Sequence, residues 1–203
     1  MGRISLSMPL TALIFSVLML PMPTAAESDE VFSGFTSHIA RQIASDKHGF
    51  MDAQVCTQWF YRHRDRQPAR PPVQGVAYRT AVGDASDVCP KRYPGGLDAA
   101  RDAFGRTQST LSISLTFYEL ALVGDRNDDQ RYSGRELQDL LEACGLPYDG
   151  RSSSQHLAAL TGHFESLHRS GSLDRLMAGM SALFDKGYRL SQHDRAALDK
   201  ISG

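Results

Sequence analysis

GDRNDDQRYSGRELQDLLEACGLP, residues 124–147, is dense in charge and yet runs straight into an amphipathic helix. Two physical readings compete: a solvated, charged turn, or a cage of oxygens around a cation. The spacing favours the cage. Asp125, Asn127 and Asp129 stand at alternate positions of a tight turn, so their side chains converge on one side. The peptide carbonyl of Arg131 comes next in that series, then Ser133, and Glu136 closes it from the start of a helix. Arg126, Asp128 and Arg135 fall between these positions and are expected to face water.

That donor set is made of hard oxygens. Calcium takes six to eight oxygens at about 2.3–2.6 Å, often from a short loop closed by one bidentate carboxylate. The flanks fit as well. Ser133 and Glu136 form a capping box, so the end of the loop is the first turn of the next helix. That helix carries Leu137, Leu140 and Leu141 on one face, and Gly145 and Pro147 stop it. The entering helix ends at Val123-Gly124 and carries Phe117, Leu120 and Ala121.

The stretch resembles the EF-hand loop, whose pattern is D-x-[DN]-x-[DN]-G-x5-E. The resemblance covers 125–147 and, more loosely, the flanking helices. It implies calcium binding by Asp125, Asn127, Asp129, Arg131, Ser133 and Glu136, and it implies no reaction. Two residues depart from the pattern. Gln130 stands where the family has glycine in a left-handed conformation, at a cost of about 1–2 kcal/mol. Tyr132 stands where the family has Ile, Leu or Val bridging to a partner loop. With Arg126, Arg131 and Arg135 lowering the local negative potential, the expected affinity is modest, within about 10⁻⁴–10⁻³ M.

EF-hands usually pair, and two stretches look like worn copies. DKHGFMDAQV, 46–55, lacks a closing acid, and DKGYRLSQHD, 185–194, keeps Leu190 at the bridging place and Asp194 at the closing one. Neither is expected to bind calcium tightly, both are also readable as ordinary helix–turn–helix corners, and the partner of 125–136 stays open.

The chain of 203 residues opens with Arg3, an apolar run from Leu10 to Leu20, and Thr24-Ala25-Ala26. These are the parts of a signal peptide. The run is short of the roughly 20 residues that span a bilayer. Residues 1–26 are therefore expected to be a cleaved leader, leaving 27–203 as a single helical domain, periplasmic or secreted. A formal net charge of −1 gives no argument for nucleic acid, and no later stretch is apolar enough to be a transmembrane segment. Export permits disulfides. Of the three possible pairings among Cys56, Cys89 and Cys144, Cys56–Cys89 is favoured because it spans the least regular segment. Such a bond would contribute about 3.5 kcal/mol in the chain-entropy model. Cys144 then reads as a small buried hydrophobe, or less readily as a reactive thiol.

The rest predicts an all-α chain: helices at 30–45, 52–64, 97–104, 111–122, 154–167, 173–184 and 192–201, with a break at DKHG and an irregular insertion over 62–96. LSISLTF, 111–117, alternates like a strand, but Leu111, Leu115, Tyr118 and Leu122 share a helical face. VAYRTAV, 76–82, suggests a short strand. The seven histidines carry no zinc-site spacing and read as solvated helix residues. The reading is an exported calcium-binding protein, not an enzyme, whose ion is structural or orders a surface for an envelope or secreted partner. Two rivals stand beside it. One is a metal-free scaffold working through the basic loop at 62–75. The other is a small hydrolase using His156 or His163.

Overall fold

The computed structural model describes residues 25–63, 79–80 and 83–202, and only the backbone of 25–31. The expected leader lies outside the described residues except for Ala25 and Ala26, and so does the basic loop at 62–75 beyond its first two positions. Among the described residues the chain is all-α but for one minimal antiparallel ladder. The helices are α1 (Ala25–His63), α2 (Ala85–Arg92), α3 (Gly96–Gly124), α4 (Gly134–Ala143), α5 (Ser153–Ser170), α6 (Asp174–Asp185) and α7 (Gln192–Ser202). The ladder pairs β1 (Arg79–Thr80) with β2 (Gly83–Asp84), placing a strand within VAYRTAV as expected. No described helix is long and apolar enough to cross a membrane.

The expected break at 46–49 does not form. α1 runs unbroken for 39 residues through DKHG, so 46–55 is helix rather than a worn loop. Packing explains this. Phe35, Ile39, Ile43, Asp46, Ala53 and Cys56 are buried at helical spacing, so one stripe crosses the supposed break. Asp46 is tolerated there because its carboxylate is fully engaged. Ser114 Oγ donates to it at 2.6 Å, His168 Nε2 at 2.9 Å and Gln42 Nε2 at 3.0 Å. Local propensity, including about 1 kcal/mol against a mid-helix glycine, yields to that tertiary surface.

α3 is likewise one helix, and it includes LSISLTF. Its buried residues, Ile113, Phe117, Leu120, Ala121 and others, face α1, α4, α5 and α6 in the main core. α1 and α3 lie along each other and form the spine of the molecule. At their far end a second, smaller core holds Cys56, Ala85, Cys89 and Ala100, flanked by Trp59, Phe60 and Tyr93. Cys56 and Cys89 are disulfide-bonded, the pairing favoured from sequence. The bond ties α1 to α2, a helix inside the segment expected to be irregular. Asp84 caps α2 by accepting from Ser86 N at 2.8 Å, and Arg92 at its end pairs with buried Asp52 of α1.

The remaining corners are tight. Leu146 N donates to Leu141 O and Gly145 N to Glu142 O, closing α4 with Gly145 at φ 68°. α6 ends the same way at Gly187, so Asp185–Asp194 is a helix–turn–helix corner, and the Ser191–Asp194 capping pair starts α7 as expected. α6 presses on the end of α4 through Gly179, where an added Cβ would sit 2.5 Å from the Ala143 carbonyl oxygen.

Two stability outcomes follow from this packing. Asp46→Ala strips buried Ser114 and His168 of their acceptor and is expected to cost about 1–3 kcal/mol in urea unfolding. An undiminished midpoint would show that the polar node is not structural. Gly179→Ala overpacks the α4–α6 contact and is expected to cost about 1–3 kcal/mol, with a lowered thermal midpoint as the check.

Candidate metal centre

The loop between α3 and α4 is framed by two acidic residues. Asp125 is the residue that follows α3, its amide bonded to Leu122 O, and its side chain is buried. Its Oδ1 accepts from Asp129 N at 3.2 Å and its Oδ2 from Gln130 N at 2.7 Å. Glu136, in the first turn of α4 and also buried, spans the loop from the other side. Its Oε1 accepts from Arg126 N at 3.0 Å and its Oε2 from Ser133 N at 2.8 Å. Ser133 Oγ in turn accepts from Glu136 N, completing the capping box. Two carboxylates thus hold four loop amides and wind the segment into a single turn.

Within it, Asn127 Nδ2 donates to Asp129 Oδ2 at 2.9 Å, which leaves the amide oxygen of Asn127 uncommitted by that bond. Arg131 is half-buried and belongs to the expected set through its peptide carbonyl. Gln130 has φ 61°, the left-handed conformation expected of this position, and Asp128 has φ 56°. Gln130 therefore carries the strain that glycine would avoid. Gly124, just before the loop, gives room to the Leu140 and Tyr132 side chains, which would lie 3.2–3.3 Å from a Cβ there.

Tyr132 does not bridge to another loop. Residues 131–133 carry no strand pairing. The ring packs edge-on against Phe32 at 4.9 Å between centroids and Phe35 at 6.5 Å, and its hydroxyl donates to Ala121 O at 2.7 Å. Burial and the charge of Asp125 raise its phenol above the ordinary value. Loop, entering helix and α1 are locked by this one side chain.

The corner at 185–194 is the segment that meets the loop. The Arg126 guanidinium lies over the Tyr188 ring at 5.5 Å, and His193 Nδ1 lies 3.5 Å from Asp128 Oδ1. Arg126 is exposed, as expected, while Asp128 is half-buried against this corner rather than simply facing water. Nothing in the sequence spacing places His193 beside Asp128, although Asp is a residue that tolerates the left-handed backbone.

The electrostatics are those of an under-neutralised site. Burial pushes the Asp125 carboxyl up to about 6 from its ordinary 3.8. The amides of Gln130 and Asp129 pull it down, and the charges of Asp129 and Glu136 push it up again. A buried carboxylate among carboxylates is raised in free energy when ionised, and a cation among them lowers it. The donors are all oxygen, as a hard cation requires. Asp125, Asn127, Asp129, Arg131, Ser133 and Glu136 lie in one turn and fit a calcium ion by this criterion.

The other expected candidates are placed differently. His156 is buried, contrary to the solvated reading, with its ring stacked on Tyr148 at 5.0 Å. His168 serves Asp46, and burial together with Arg175 lowers the pKa of His163. Cys144 is half-buried, and burial pushes its thiol up to about 12, which suits packing rather than reactivity.

No protein-family model, curated protein or solved structure matches the chain. The loop's own chemistry therefore carries the functional reading.

Because the folded-state pKa of Asp125 lies above its unfolded one, its contribution to stability declines as pH rises between about 4 and 6. In chelator-treated protein, carbon-detected NMR of the Asp125 carboxyl is expected to titrate with a midpoint near 6. A midpoint near 3.8 would contradict the electrostatic account.

Proposed function

We propose that this chain is an exported, EF-hand-like calcium-binding protein that holds one calcium ion at 125–136. The observation that carries the reading is the pair of buried carboxylates, Asp125 and Glu136, that close one turn from its two ends with Asp129 between them. Asp125 and Asp129 supply charge, Asn127 and Ser133 neutral oxygens, Arg131 a peptide carbonyl, and Glu136 the closing carboxylate. When bound, the ion supplies positive charge to a cluster that otherwise repels itself. It does so at the junction of α3 and α4, so its role is structural, or it orders the neighbouring surface for an envelope or secreted partner. The reading assigns the chain no catalysis.

Affinity in this reading is modest, about 10⁻⁴–10⁻³ M, the range of extracellular modules. Gln130 in a left-handed conformation supports that estimate, and so do the arginines that interrupt the acidic positions.

Calorimetric titration separates this reading from a metal-free scaffold. The wild-type chain is expected to bind one calcium at millimolar concentration, and Glu136→Gln to lose the heat of binding. Wild type silent at millimolar calcium would end the calcium reading.

A further inference from the structure

On the outer side of the loop a second group of ligand atoms converges, and none of them belongs to the oxygen set above. One atom each from Asp128, His193 and Asp194 lies within 4.8 Å of the others. Asp128 comes from the loop, where its left-handed backbone turns it toward α7, and the other two come from the first turn of α7. They open on a cavity of about 180 Å³ that Tyr118, Leu122 and Asp125 also line, and its described lining includes no lysine or arginine.

An ordinary surface ion pair between His193 and Asp128 explains only part of this. Such exposed pairs contribute little. It does not engage Asp194, whose capping bond to Ser191 occupies one carboxylate oxygen. Asp194 is 5 % exposed, and one carboxylate oxygen accepts from Ser191 N at 3.3 Å. Its other oxygen has no donor among the described residues. The same holds for Tyr118, 8 % exposed, whose hydroxyl has no partner there. Two carboxylates, one of them on a residue that is 5 % exposed, and an imidazole line one cavity with no lysine or arginine in its described lining, so a cation entering it meets ligands and no competing charge.

We propose that Asp128, His193 and Asp194 bind a zinc-class divalent cation. The imidazole decides the class. Calcium selects oxygen, whereas imidazole with carboxylates suits zinc and its first-row neighbours. In a tetrahedral zinc shell, neighbouring ligand atoms stand about 3.3 Å apart, given zinc–ligand distances near 2.0–2.1 Å. Asp128 and His193 are already at 3.5 Å. His193 is 65 % exposed, so its ring has room to turn. Three protein ligands leave a fourth position for water. The site shares no ligand with the calcium set, and neither proposal depends on the other.

The test is zinc titration of the untagged full-length chain in chelating-resin-treated buffer. Wild type is expected to bind one zinc. His193→Ala, at an exposed position that does not threaten folding, is expected to weaken binding at least about 100-fold, the upper end for loss of a mere outer-shell partner. Asp128→Asn is expected to weaken it in the same direction. His163→Ala, which controls for generic histidine binding, is expected to leave zinc affinity unchanged. A visible cobalt spectrum present in wild type and absent in His193→Ala would place the ion on that imidazole. Zinc binding by His193→Ala at wild-type affinity, or none by wild type at submillimolar zinc, would overturn the proposal.

Discussion

The side-by-side packing of α1 on α3 is the constraint from which the other parts take their positions. It is apolar along most of its length, with Phe35, Ile39 and Ile43 meeting Ile113, Phe117 and Leu120. At one level it is polar, where Asp46 gathers Ser114 and His168 and so brings α5 to the same seam. A buried carboxylate of this kind fixes register, because sliding either helix would strand several donors at once. The two ends of the seam carry different hardware. The disulfide and α2 sit at one, and the acidic loop at the other.

That arrangement explains why the loop is held so firmly. Asp125 stands where α3 ends, so its position is set by the seam rather than by the loop. Tyr132 reaches back from the loop to Phe32, Phe35 and the Ala121 carbonyl, all on the two spine helices. On the other side, Lys186 bonds Glu142 at 2.8 Å and Tyr188 bonds Asp139 at 2.8 Å, pinning α4 to the corner after α6. The oxygens of 125–136 are thus placed by packing on both flanks. The imidazole and carboxylates of the outer group are placed by the meeting of that loop with α7. The two groups differ in donor chemistry, oxygens alone in one and an imidazole with carboxylates in the other.

Much of this was legible in the residues. The all-α class, the capping box at Ser133 and Glu136, the stop at Gly145 and the Cys56–Cys89 pairing all follow from local patterns, and the structure has them. The misses share a cause: each depended on a distant surface. DKHG contains the residues of a break, but α3 and α5 supply partners that keep it helical. ASDVCPKR looked irregular because Pro90 lies inside it, yet Asp84 caps it and Cys89 anchors it. Tyr132 was compatible with a bridge, and the rings of Phe32 and Phe35 drew it inward. The nearness of Asp128 to His193 joins segments that no sequence period relates.

The length of α1 also sets what can be seen by light. The chain's single tryptophan, Trp59, stacks on His63 at the disulfide end of that helix. Phe32, which touches the loop through Tyr132, lies about 40 Å away along the helix axis at 1.5 Å per residue. Indole emission is therefore a gauge of the far end and is blind to events at the loop. The chromophores at the acidic turn are Tyr132, held against Phe32 and Phe35, and Tyr188, under the Arg126 guanidinium, so tyrosine absorption rather than indole emission responds there. The two ends of one rigid rod thus come with separate optical labels.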